Sequence, residues 1–531
     1  MAVTYNEQQL EAINSNKDSI LVLACAGAGK STTLVSRAAR LIKEGVNPRS
    51  ILCLTFTNKA GAEMGEKFKR MFPGVAPIPE FKTFHAFCYS IIVKDIAVRE
   101  AIGYSKIPGI ASDGVVKEAR ETATLQTGIL LADDILTGKK NCPPRDRMKF
   151  DTWKKAYKKY LARLDVITFD IMSEEISQLF VSKHPSTDKY KQQYKHIMVD
   201  EFQDTDETQF AFVGSFKDCN WFFVGDALQN LYSFRGTSNR FIKMLSEDDR
   251  WYKIRMNQNY RSTTQICEFA NKMSTYAKST YRLELVGQKS GDNVTVKSGG
   301  ITSFHDPVYY PHIQHVLSEL EDHKDGSTAI LCRTNNEVKW IVNHLAKNGI
   351  ACTNSKKQAV IIPLIKAAGD VAYEMEYLAS TLTKDNYNRW IRTFYGESID
   401  INQFLEMFGN CNDVKRTHNK IEAIRQILST SEDGVAKAEL VLKKFNVLGV
   451  SCEPEDNTPE CVISALVEAV ETFQESSLYV GTIHSVKGLE YDTVFVIGVN
   501  QGVWLLNCED NLNLYYVAIT RAKNKLYVYE D

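Results

Sequence analysis

The chain contains 531 residues, which is too many for a single hydrophobic core and predicts roughly three or four domains of ordinary size. Hydrophobic residues make up 44% and charged residues 24%, a composition typical of a soluble globular protein. The net charge of −1, from 64 basic and 65 acidic residues, excludes nucleic-acid binding through overall charge, so any such affinity has to come from a local basic surface.

Twelve cysteines are present, none of them in a C-x-x-C pair, and Cys25, Cys53 and Cys332 lie inside apolar, strand-like runs. This distribution favours reduced core residues over zinc ligands or a disulfide set. The N-terminus has no signal-peptide pattern, and no apolar run approaches the length that spans a membrane. We therefore expect a cytoplasmic protein with no membrane contact.

The first predicted element is an amphipathic helix over residues 5–13, indicated by the spacing of Leu10 and Ile13. A glutamine amide can both donate to and accept from the edge of adenine, which makes Gln9 a candidate for reading the base. The residues alone leave open the alternative of a surface glutamine.

A phosphate-binding loop is the next feature. The apolar run Ile20–Ala24 predicts a buried strand, which ends at the turn Gly27-Ala28-Gly29, and Lys30 and Ser31 open a helix. This arrangement binds nucleotide phosphates because glycines let backbone N–H groups approach them and the helix N-terminus adds positive potential. We expect Lys30 to reach the β- and γ-phosphates and the Ser31 hydroxyl to hold Mg²⁺. Ala24 occupies the position of the usual first glycine, and an ordinary glycine turn is the alternative.

Two further strands end in hydroxyl, amide and aromatic side chains. The first, Ile51–Thr55, is followed by Phe56, Thr57 and Asn58, and the second ends in Thr83, Phe84 and His85. In an open α/β sheet such strand ends line the ligand crevice, and exposed aromatics there suit single-stranded nucleic acid. Packing of the two phenylalanines in the core is an equal alternative.

Residues 93–190 are predicted to form a mainly helical insertion. Within it, Lys139–Arg163 holds ten basic and two acidic residues. The aromatic residues fall at helical spacing and predict a packed face, which leaves an outward basic stripe of Lys154, Lys155, Lys158 and Lys159. The stripe is interpreted as a surface that tracks phosphates, with a merely solvated helix face as the alternative.

Two more predicted strands are followed by polar residues, which lie at the same edge of the predicted sheet. His196–Val199 leads into Asp200 and Glu201, and adjacent carboxylates at a strand end indicate a cation site or a proton-transfer task. We expect Asp200 to hold Mg²⁺ through water and Glu201 to deprotonate the attacking water, a charged loop being the alternative. The strand Trp221–Val224 is followed by Gln229, placed to sense the γ-phosphate, and then by the aromatic residues Tyr232 and Phe234.

In this order the stretches resemble the motifs of superfamily 1 helicases of the UvrD/Rep type. Later parts of the chain resemble the remaining motifs of the set, namely Asn257–Ser262, Ala329–Asn335, Gly481–Glu490 and Tyr516–Ala522. The likeness runs nearly end to end. Between Leu345 and Leu478 the chain is shorter than relatives of this family, and in this it resembles the compact members found in phage genomes and in antiviral defence systems such as Gabija.

The resemblance implies an α/β fold with two RecA-like P-loop domains, each a parallel sheet that carries a mainly helical insertion. The implied boundaries are 1–92 and 191–255 for domain 1A, 93–190 for insertion 1B, 256–345 and 478–531 for domain 2A, and 346–477 for a reduced 2B insertion.

The resemblance also implies ATP as substrate, Mg²⁺ as cofactor, and roles for individual residues. Arg261 and Arg521 are implied as arginine fingers, Tyr260 as the residue that stacks on adenine, and Glu490 as the acceptor from the ribose hydroxyl. The implied catalytic set is Lys30, Glu201, Gln229, Arg261 and Arg521. The implied ATP-binding set is Gln9, Ala24, Gly27, Ala28, Gly29, Lys30, Ser31, Thr32, Tyr260 and Glu490. The implied DNA contacts are Phe56, Thr57, Asn58, Thr83, Phe84, His85, Tyr232, Phe234, Arg333, Thr482 and His484.

Departures from the family pattern modify these expectations. Relatives usually carry arginine where this chain has Thr32, so we expect weaker discrimination between nucleobases or a higher ATP requirement. Phe234 stands where tryptophan is common, which keeps the stacking function. The charged run that usually precedes the last motif is replaced by Asn511-Leu512-Asn513-Leu514.

The implied function is an ATP-dependent translocase on single-stranded DNA and a 3′–5′ helicase acting at junctions of single- and double-stranded DNA, with a role in repair or replication. One alternative is an ATPase that senses DNA ends or single strands and regulates a partner nuclease in antiviral defence. A scaffold with a vestigial nucleotide site is a second alternative. RNA is not excluded as the nucleic acid, because stacking and backbone contacts distinguish little beyond the 2′-hydroxyl.

Overall fold

The computed structural model describes residues 4–129, 146–231, 239–276, 283–298, 311–322, 326–347, 352–353, 478–499 and 509–530. Two compact units make up the chain. Unit 1 is Met1–Asn293 with Trp504–Thr520, and unit 2 is Val294–Val503 with Arg521–Asp531. Residues 256–293, assigned to domain 2A by resemblance, thus belong to unit 1, and the finer domain boundaries stay predictions.

Unit 1 is built on a parallel sheet. Its described strands are β1 (Ser19–Ala24), β2 (Ile51–Thr55), β3 (Glu80–Thr83), β4 (Gly109–Ile110), β5 (Val166–Ile167), β6 (His196–Val199), β7 (Asn220–Gly225), β8 (Tyr252–Met256), β9 (Gln258–Thr263) and β10 (Val286–Lys289). Six of them form one sheet in the order β3-β2-β6-β7-β1-β8, and every neighbouring pair is parallel. Parallel sheets are covered on both faces, which is why β1, β2 and β6 are continuous apolar runs.

Helices cover this sheet and build the insertion. They are α1 (Glu7–Asn14), α2 (Lys30–Lys43), α3 (Asn58–Met71), α4 (Phe84–Lys94), α5 (Ile96–Ala101), α6 (Asp113–Thr127), α7 (Arg147–Arg163), α8 (Phe169–Val181), α9 (Asp188–Gln193), α10 (Glu207–Gly214), α11 (Arg240–Glu247) and α12 (Thr264–Ser274). One core cluster extends from the strands of the sheet into the insertion, where it includes Trp153 and Tyr157 of α7. The predicted packed face of α7 is therefore confirmed.

The predicted lysine stripe on α7 is wrong for two of its four members. Lys154 contacts Glu174 of α8 at 2.5 Å, and Lys158 is paired with Glu174 and Glu175. Their charges are compensated by a neighbouring helix, so only Lys155 and Lys159 remain exposed on this face. Glu174 lies 20 residues after Lys154, and Glu175 lies 17 residues after Lys158. A charge pattern within one helix therefore could not indicate these pairs.

Unit 2 contains a second parallel sheet. Its strands are β11 (Thr295–Ser298), β12 (Thr328–Cys332), β13 (Leu478–Thr482), β14 (Tyr491–Val499) and β15 (Ala522–Glu530), in the order β11-β15-β14-β12-β13. The helices α13 (Pro311–Asp322) and α14 (Asn335–Lys347) belong to this unit, whereas α15 (Glu509–Ile519) belongs to unit 1. The α/β class with parallel sheets is confirmed. Of the predicted 2B segment, only 346–347 and 352–353 are among the described residues.

The three cysteines of the apolar runs follow the prediction, whereas the buried face of α1 does not. Cys25, Cys53 and Cys332 are buried and unpaired, as their apolar surroundings predict. Leu10 is exposed on α1, and the buried face of that helix is formed by Gln9 with Ala12 and Ile13 instead. Within the described parts of the chain, no helix has the length and apolar character needed to cross a membrane.

Candidate nucleotide-binding site

The turn between β1 and α2 requires glycine at two positions. Gly27 and Gly29 have φ angles of +68° and +79°, in the left-handed region that favours glycine. A Cβ on Gly27 would lie 2.8 Å from Nδ2 of Asn259 and 2.9 Å from Cβ of Arg261. The loop is therefore packed closely against β9.

Gln9 supports the same loop from the other side. Its Nε2 donates to the carbonyl oxygen of Ala28 at 3.0 Å, and its Oε1 accepts from the backbone N–H of Asn6 at 3.1 Å. Only 5% of Gln9 is exposed, so the alternative of a surface glutamine does not apply. Asn6 caps α1 and forms a capping box with Gln9, which anchors this helix beside the loop.

The carboxylates of the β6 edge meet the first turn of α2. The Ser31 hydroxyl donates to Oδ2 of Asp200 at 2.7 Å, and Nζ of Lys30 lies 3.9 Å from Oε2 of Glu201. Burial, and then the negative charge of Glu201, raise the pKa of Asp200, while Ser31 and Lys30 act in the opposite direction. Glu201 has a φ of +53°, a conformation that non-glycine residues adopt rarely and that is frequent at functional sites.

This donor set fits Mg²⁺ chemically. A hydroxyl and a carboxylate oxygen are hard ligands of the kind that Mg²⁺ prefers. The Asp200 carboxylate is 4% exposed, and its burial disfavours the negative charge. A cation at this position would favour the ionised form.

Gln203 links the groups at two strand ends, a role that sequence reasoning missed. Its Nε2 donates to Oε2 of Glu201 at 2.7 Å, and its Oε1 accepts from the backbone N–H of Asp226 at 3.0 Å. Its carbonyl oxygen accepts from Nδ2 of Asn230 at 2.9 Å. Gln203 is fully buried, and a Cβ on Gly225 would come within 2.7 Å of its Oε1. The sequence feature that could have indicated this role is the position of the Gln203 amide, two residues after the paired carboxylates Asp200 and Glu201.

Gln229, the predicted sensor of the γ-phosphate, lies in the same network. Its Nε2 donates to Oδ2 of Asp226 at 2.7 Å, and the hydroxyl of Tyr516 on α15 approaches that oxygen at 3.4 Å. Burial raises the pKa of Asp226, whereas the charge of Lys30 lowers it. The predicted stacking residues Tyr232 and Phe234 lie outside the described residues.

Tyr260 and Arg261 stand beside the phosphate-binding loop on β9. The backbone N–H of Tyr260 donates to the carbonyl oxygen of Gly27 at 3.0 Å. The Tyr260 hydroxyl accepts from Nδ2 of Asn6 at 2.7 Å and donates to Oε1 of Gln258 at 2.9 Å, while 47% of the residue is exposed. Nη1 of Arg261 donates to the carbonyl oxygen of Thr520 at 3.0 Å.

The other two predicted nucleotide contacts belong to unit 2. Arg521 is 1% exposed, and its Nη1 donates to the carbonyl oxygen of Leu489 at 3.1 Å. Its own carbonyl oxygen accepts from the backbone N–H of Tyr491. Glu490 is exposed. The roles of both residues stay predictions.

The predicted DNA contacts in unit 1 occupy two helix N-termini. Thr57 caps α3 by accepting from the backbone N–H of Ala60 at 3.1 Å, and Thr83 caps α4 in the same way. The Thr83 hydroxyl donates to Oδ1 of Asn58 at 3.1 Å, which joins the two strand ends.

The aromatic residues of this surface differ in burial. Phe56 is half-buried. Phe84 is 4% exposed and belongs to the core cluster, as expected if it packs in the core and does not contact DNA. His85 is half-buried, and its ring lies edge-on to the ring of Phe169, with centroids 5.3 Å apart. In unit 2, Arg333, Thr482 and His484 are all partly exposed.

Comparison with known protein families gives two matches that together span nearly the whole chain. The model of the UvrD/REP helicase N-terminal domain matches residues 5–250, and that of the UvrD-like helicase C-terminal domain matches residues 254–360 and 370–530.

Relatives match over 98% of this chain. An ATP-dependent DNA helicase PcrA from Leuconostoc citreum is 26% identical, with 81% of its length covered. A probable DNA helicase II homolog from Mycoplasma capricolum is 24% identical over 84% of its length, and a PcrA helicase from Staphylococcus epidermidis is 25% identical over 83%.

Proposed function

Because the chain belongs to the UvrD/Rep helicase family and is an ATP-dependent DNA helicase by that membership, we propose that it hydrolyses ATP at the loop before α2 and moves 3′ to 5′ along single-stranded DNA. One observation carries the proposal for the hydrolytic site. Lys30 and Ser31 on α2 meet Asp200 and Glu201 at the end of β6, so that a cation and a hydroxyl each lie within 4 Å of a carboxylate oxygen.

Each of these groups has a task in phosphoryl transfer. Lys30 neutralises charge on the β- and γ-phosphates, and Glu201 orients and deprotonates the attacking water. Ser31 and Asp200 hold Mg²⁺, which supplies charge neutralisation at the phosphates when it is bound. Gln203 keeps the Glu201 carboxylate in place through the 2.7 Å hydrogen bond.

Two further nucleotide contacts, Tyr260 and Arg261, follow from the position of β9 beside the loop. Tyr260 offers a half-exposed ring for the adenine, held at its hydroxyl by Asn6 and Gln258. Arg261 acts as an arginine finger that stabilises charge on the transferred phosphoryl group, the role that the resemblance to the helicase motifs implies for Arg521 as well.

DNA binds along the strand ends that precede α3 and α4. Thr57 and Asn58 present exposed hydroxyl and amide groups suited to phosphate oxygens, and the buried Thr83 positions Asn58 through its hydrogen bond. Phe56 and His85 present partly exposed rings suited to bases. Gln229 contacts Asp226 in the nucleotide network and precedes Tyr232 and Phe234 in the sequence, which supports a role in coupling the two sites.

The test is ATP hydrolysis measured with and without single-stranded DNA, in the presence of Mg²⁺ or of EDTA. We expect DNA to stimulate hydrolysis by wild type, and EDTA to abolish it. Glu201→Gln should lower kcat at least about a hundredfold while the protein still binds ATP, because a carboxamide cannot take up the proton. Hydrolysis that neither DNA nor this substitution changes would indicate a vestigial site.

Polarity is tested separately, by displacement of streptavidin from biotin at either end of an oligonucleotide. Displacement from the 5′ end alone corresponds to 3′ to 5′ movement. Displacement from the 3′ end alone would contradict the proposed direction.

A further inference from the structure

A buried guanidinium on α2 holds the end of the neighbouring helix α1. Arg37 is only 4% exposed, a degree of burial that arginine rarely shows unless its charge is compensated. Its Nη1 donates to three backbone carbonyl oxygens, those of Ala12 at 2.9 Å, Ile13 at 3.3 Å and Ser15 at 2.8 Å. Ser15 is the C-cap of α1. Arg37 therefore binds the C-terminal end of that helix.

The electrostatics of this contact favour a cation. The C-terminus of a helix carries partial negative charge and carbonyl groups without partners inside the helix, and α1 has no basic residue in its own last turn. Burial, followed by the charge of Arg40, lowers the pKa of Arg37 to about 10, while the charge of Glu44 acts in the opposite direction. The guanidinium thus keeps its proton at neutral pH. The ring centroid of Phe222, on β7, lies 5.0 Å from its Cζ and also favours the charge.

The other end of α1 carries side chains that are proposed to serve the nucleobase. Its N-cap, Asn6, donates to the Tyr260 hydroxyl at 2.7 Å, and Gln9 donates to the carbonyl oxygen of Ala28 in the phosphate-binding loop. A helix of only eight residues is marginal on its own in water, so its position depends on its contacts with the rest of the protein. Loss of the contact with Arg37 would therefore displace Asn6 and Gln9 as well.

The helix that holds α1 is also the one that begins at the phosphate-binding loop. Lys30, proposed to bind the β- and γ-phosphates, is the first residue of α2, and Arg37 lies two turns further along it. At a rise of 1.5 Å per residue, the two positions are about 10 Å apart along the helix axis. α2 thus sets the distance between the phosphates and the helix that carries Gln9.

We propose that Arg37 is a positioning residue for the nucleobase, which holds α1 so that Gln9 and Tyr260 meet the adenine while Lys30 binds the phosphates. The inference rests on the proposed hydrolysis of ATP at the loop before α2. Because the donors of Arg37 meet backbone carbonyl groups of α1, this residue acts through that helix. Its loss should weaken recognition of the base and leave recognition of the phosphates unchanged.

The test is Arg37→Met, assayed with ATP, with GTP, and with inorganic tripolyphosphate as a competitive inhibitor that has phosphates but no base. We expect the KM for ATP to rise about tenfold, because a displaced α1 costs the base about one hydrogen bond, and the preference for ATP over GTP in kcat/KM to fall by a similar factor. The inhibition constant of tripolyphosphate and the kcat for ATP should stay within about twofold of wild type. Arg37→Lys keeps a cation that can donate to the same carbonyl groups, so it should restore part of the affinity.

Further variants separate this role from a general loss of stability. Lys43→Met is the matched control on α2, because Lys43 is exposed and lies over the ring of Phe72; its constants should equal those of wild type. Gln9→Ala removes the amide through which Arg37 is proposed to act, so Arg37→Met should raise the KM less in that background than in wild type. Arg37→Gln keeps one amide donor, takes the place of the methionine variant if that protein does not fold, and should raise the KM at least about threefold.

The inference is overturned if Arg37→Met, or Arg37→Gln in its place, changes the KM for ATP and the inhibition constant of tripolyphosphate by the same factor, or changes neither. Equal use of ATP and GTP by wild type would also overturn it, because there would be no base recognition for Arg37 to support. Absence of DNA-stimulated hydrolysis in wild type would instead refute the proposed function, so the two failures are distinguishable.

Discussion

Replacing Gln203 with methionine removes a buried amide that contacts the proposed general base. The amide donates to Oε2 of Glu201 at 2.7 Å and accepts from the backbone N–H of Asp226 at 3.0 Å. Methionine is similar in length and unbranched, so it fills the fully buried space without making either hydrogen bond.

The size of the effect follows from these two bonds. A hydrogen bond to a charged group contributes about 1.5–3 kcal/mol, so loss of the restraint on Glu201 should lower kcat about 10- to 100-fold. The Asp226 N–H loses its partner in a buried location, which should lower the free energy of unfolding by about 1–3 kcal/mol. The KM for ATP should change little, because Gln203 is not among the proposed nucleotide contacts.

The assay is steady-state ATP hydrolysis at saturating DNA, together with urea unfolding monitored by tryptophan fluorescence. Gln178→Met is the matched control, since Gln178 donates to Glu174 at 3.2 Å on the exposed side of α8, away from the site. A folded Gln203→Met protein with kcat within twofold of wild type would refute the reasoning. So would an equal loss of activity in the Gln178→Met control.

Two other changes test separate parts of the structure. Asn6→Ala removes the donor to the Tyr260 hydroxyl and the cap of α1, which should raise the KM for ATP several-fold with kcat retained; an unchanged KM would show that Tyr260 needs no such support. Asp492→Asn tests pH dependence: burial raises the pKa of Asp492, but hydrogen bonds from Ser327 and the charge of Lys523 outweigh it and lower the pKa to about 2. Since the folded pKa lies below the unfolded one, the carboxylate stabilises the protein above about pH 4 and this contribution is lost as the pH falls toward 2. The variant should therefore unfold at lower urea than wild type at pH 7, and this difference should shrink as the pH falls through 4 toward 2; an equal deficit at pH 7 and pH 2 would contradict this.

Strands buried in the parallel sheets were predictable from the sequence. The predicted bounds of Ile51–Thr55 and His196–Val199 are those observed, and the predicted strands Ile20–Ala24 and Trp221–Val224 were too short by one residue at one or both ends. A strand covered on both faces is buried along its length and mostly apolar, so its limits lie close to those of the apolar run.

The phosphate-binding loop was predictable for a related reason. Gly27 and Gly29 adopt backbone conformations that other residues rarely adopt, so the chemistry of the loop constrains the residue types directly. The meeting of Ser31 with Asp200 follows from sheet topology, because the carboxyl ends of parallel strands share one edge.

What could not be predicted depends on contacts between distant parts of the chain. Leu10 was expected on the buried side of α1, but the capping box turns Gln9 inward and leaves Leu10 exposed. The hydrogen bond between Lys67 and Thr32 spans 35 residues, and that between Asn6 and Tyr260 spans 254. Neither pair has a local pattern that could indicate it.

The central claim is that this chain couples ATP hydrolysis to separation of DNA strands without a partner protein. The most direct measurement is strand displacement by the purified chain alone, on duplexes with either a 3′ or a 5′ single-stranded tail. We predict displacement of the 3′-tailed duplex by wild type with ATP, none of the 5′-tailed duplex, and none of either by Glu201→Gln. DNA-stimulated hydrolysis without displacement of either duplex would contradict the claim and favour an ATPase that senses DNA and regulates a nuclease.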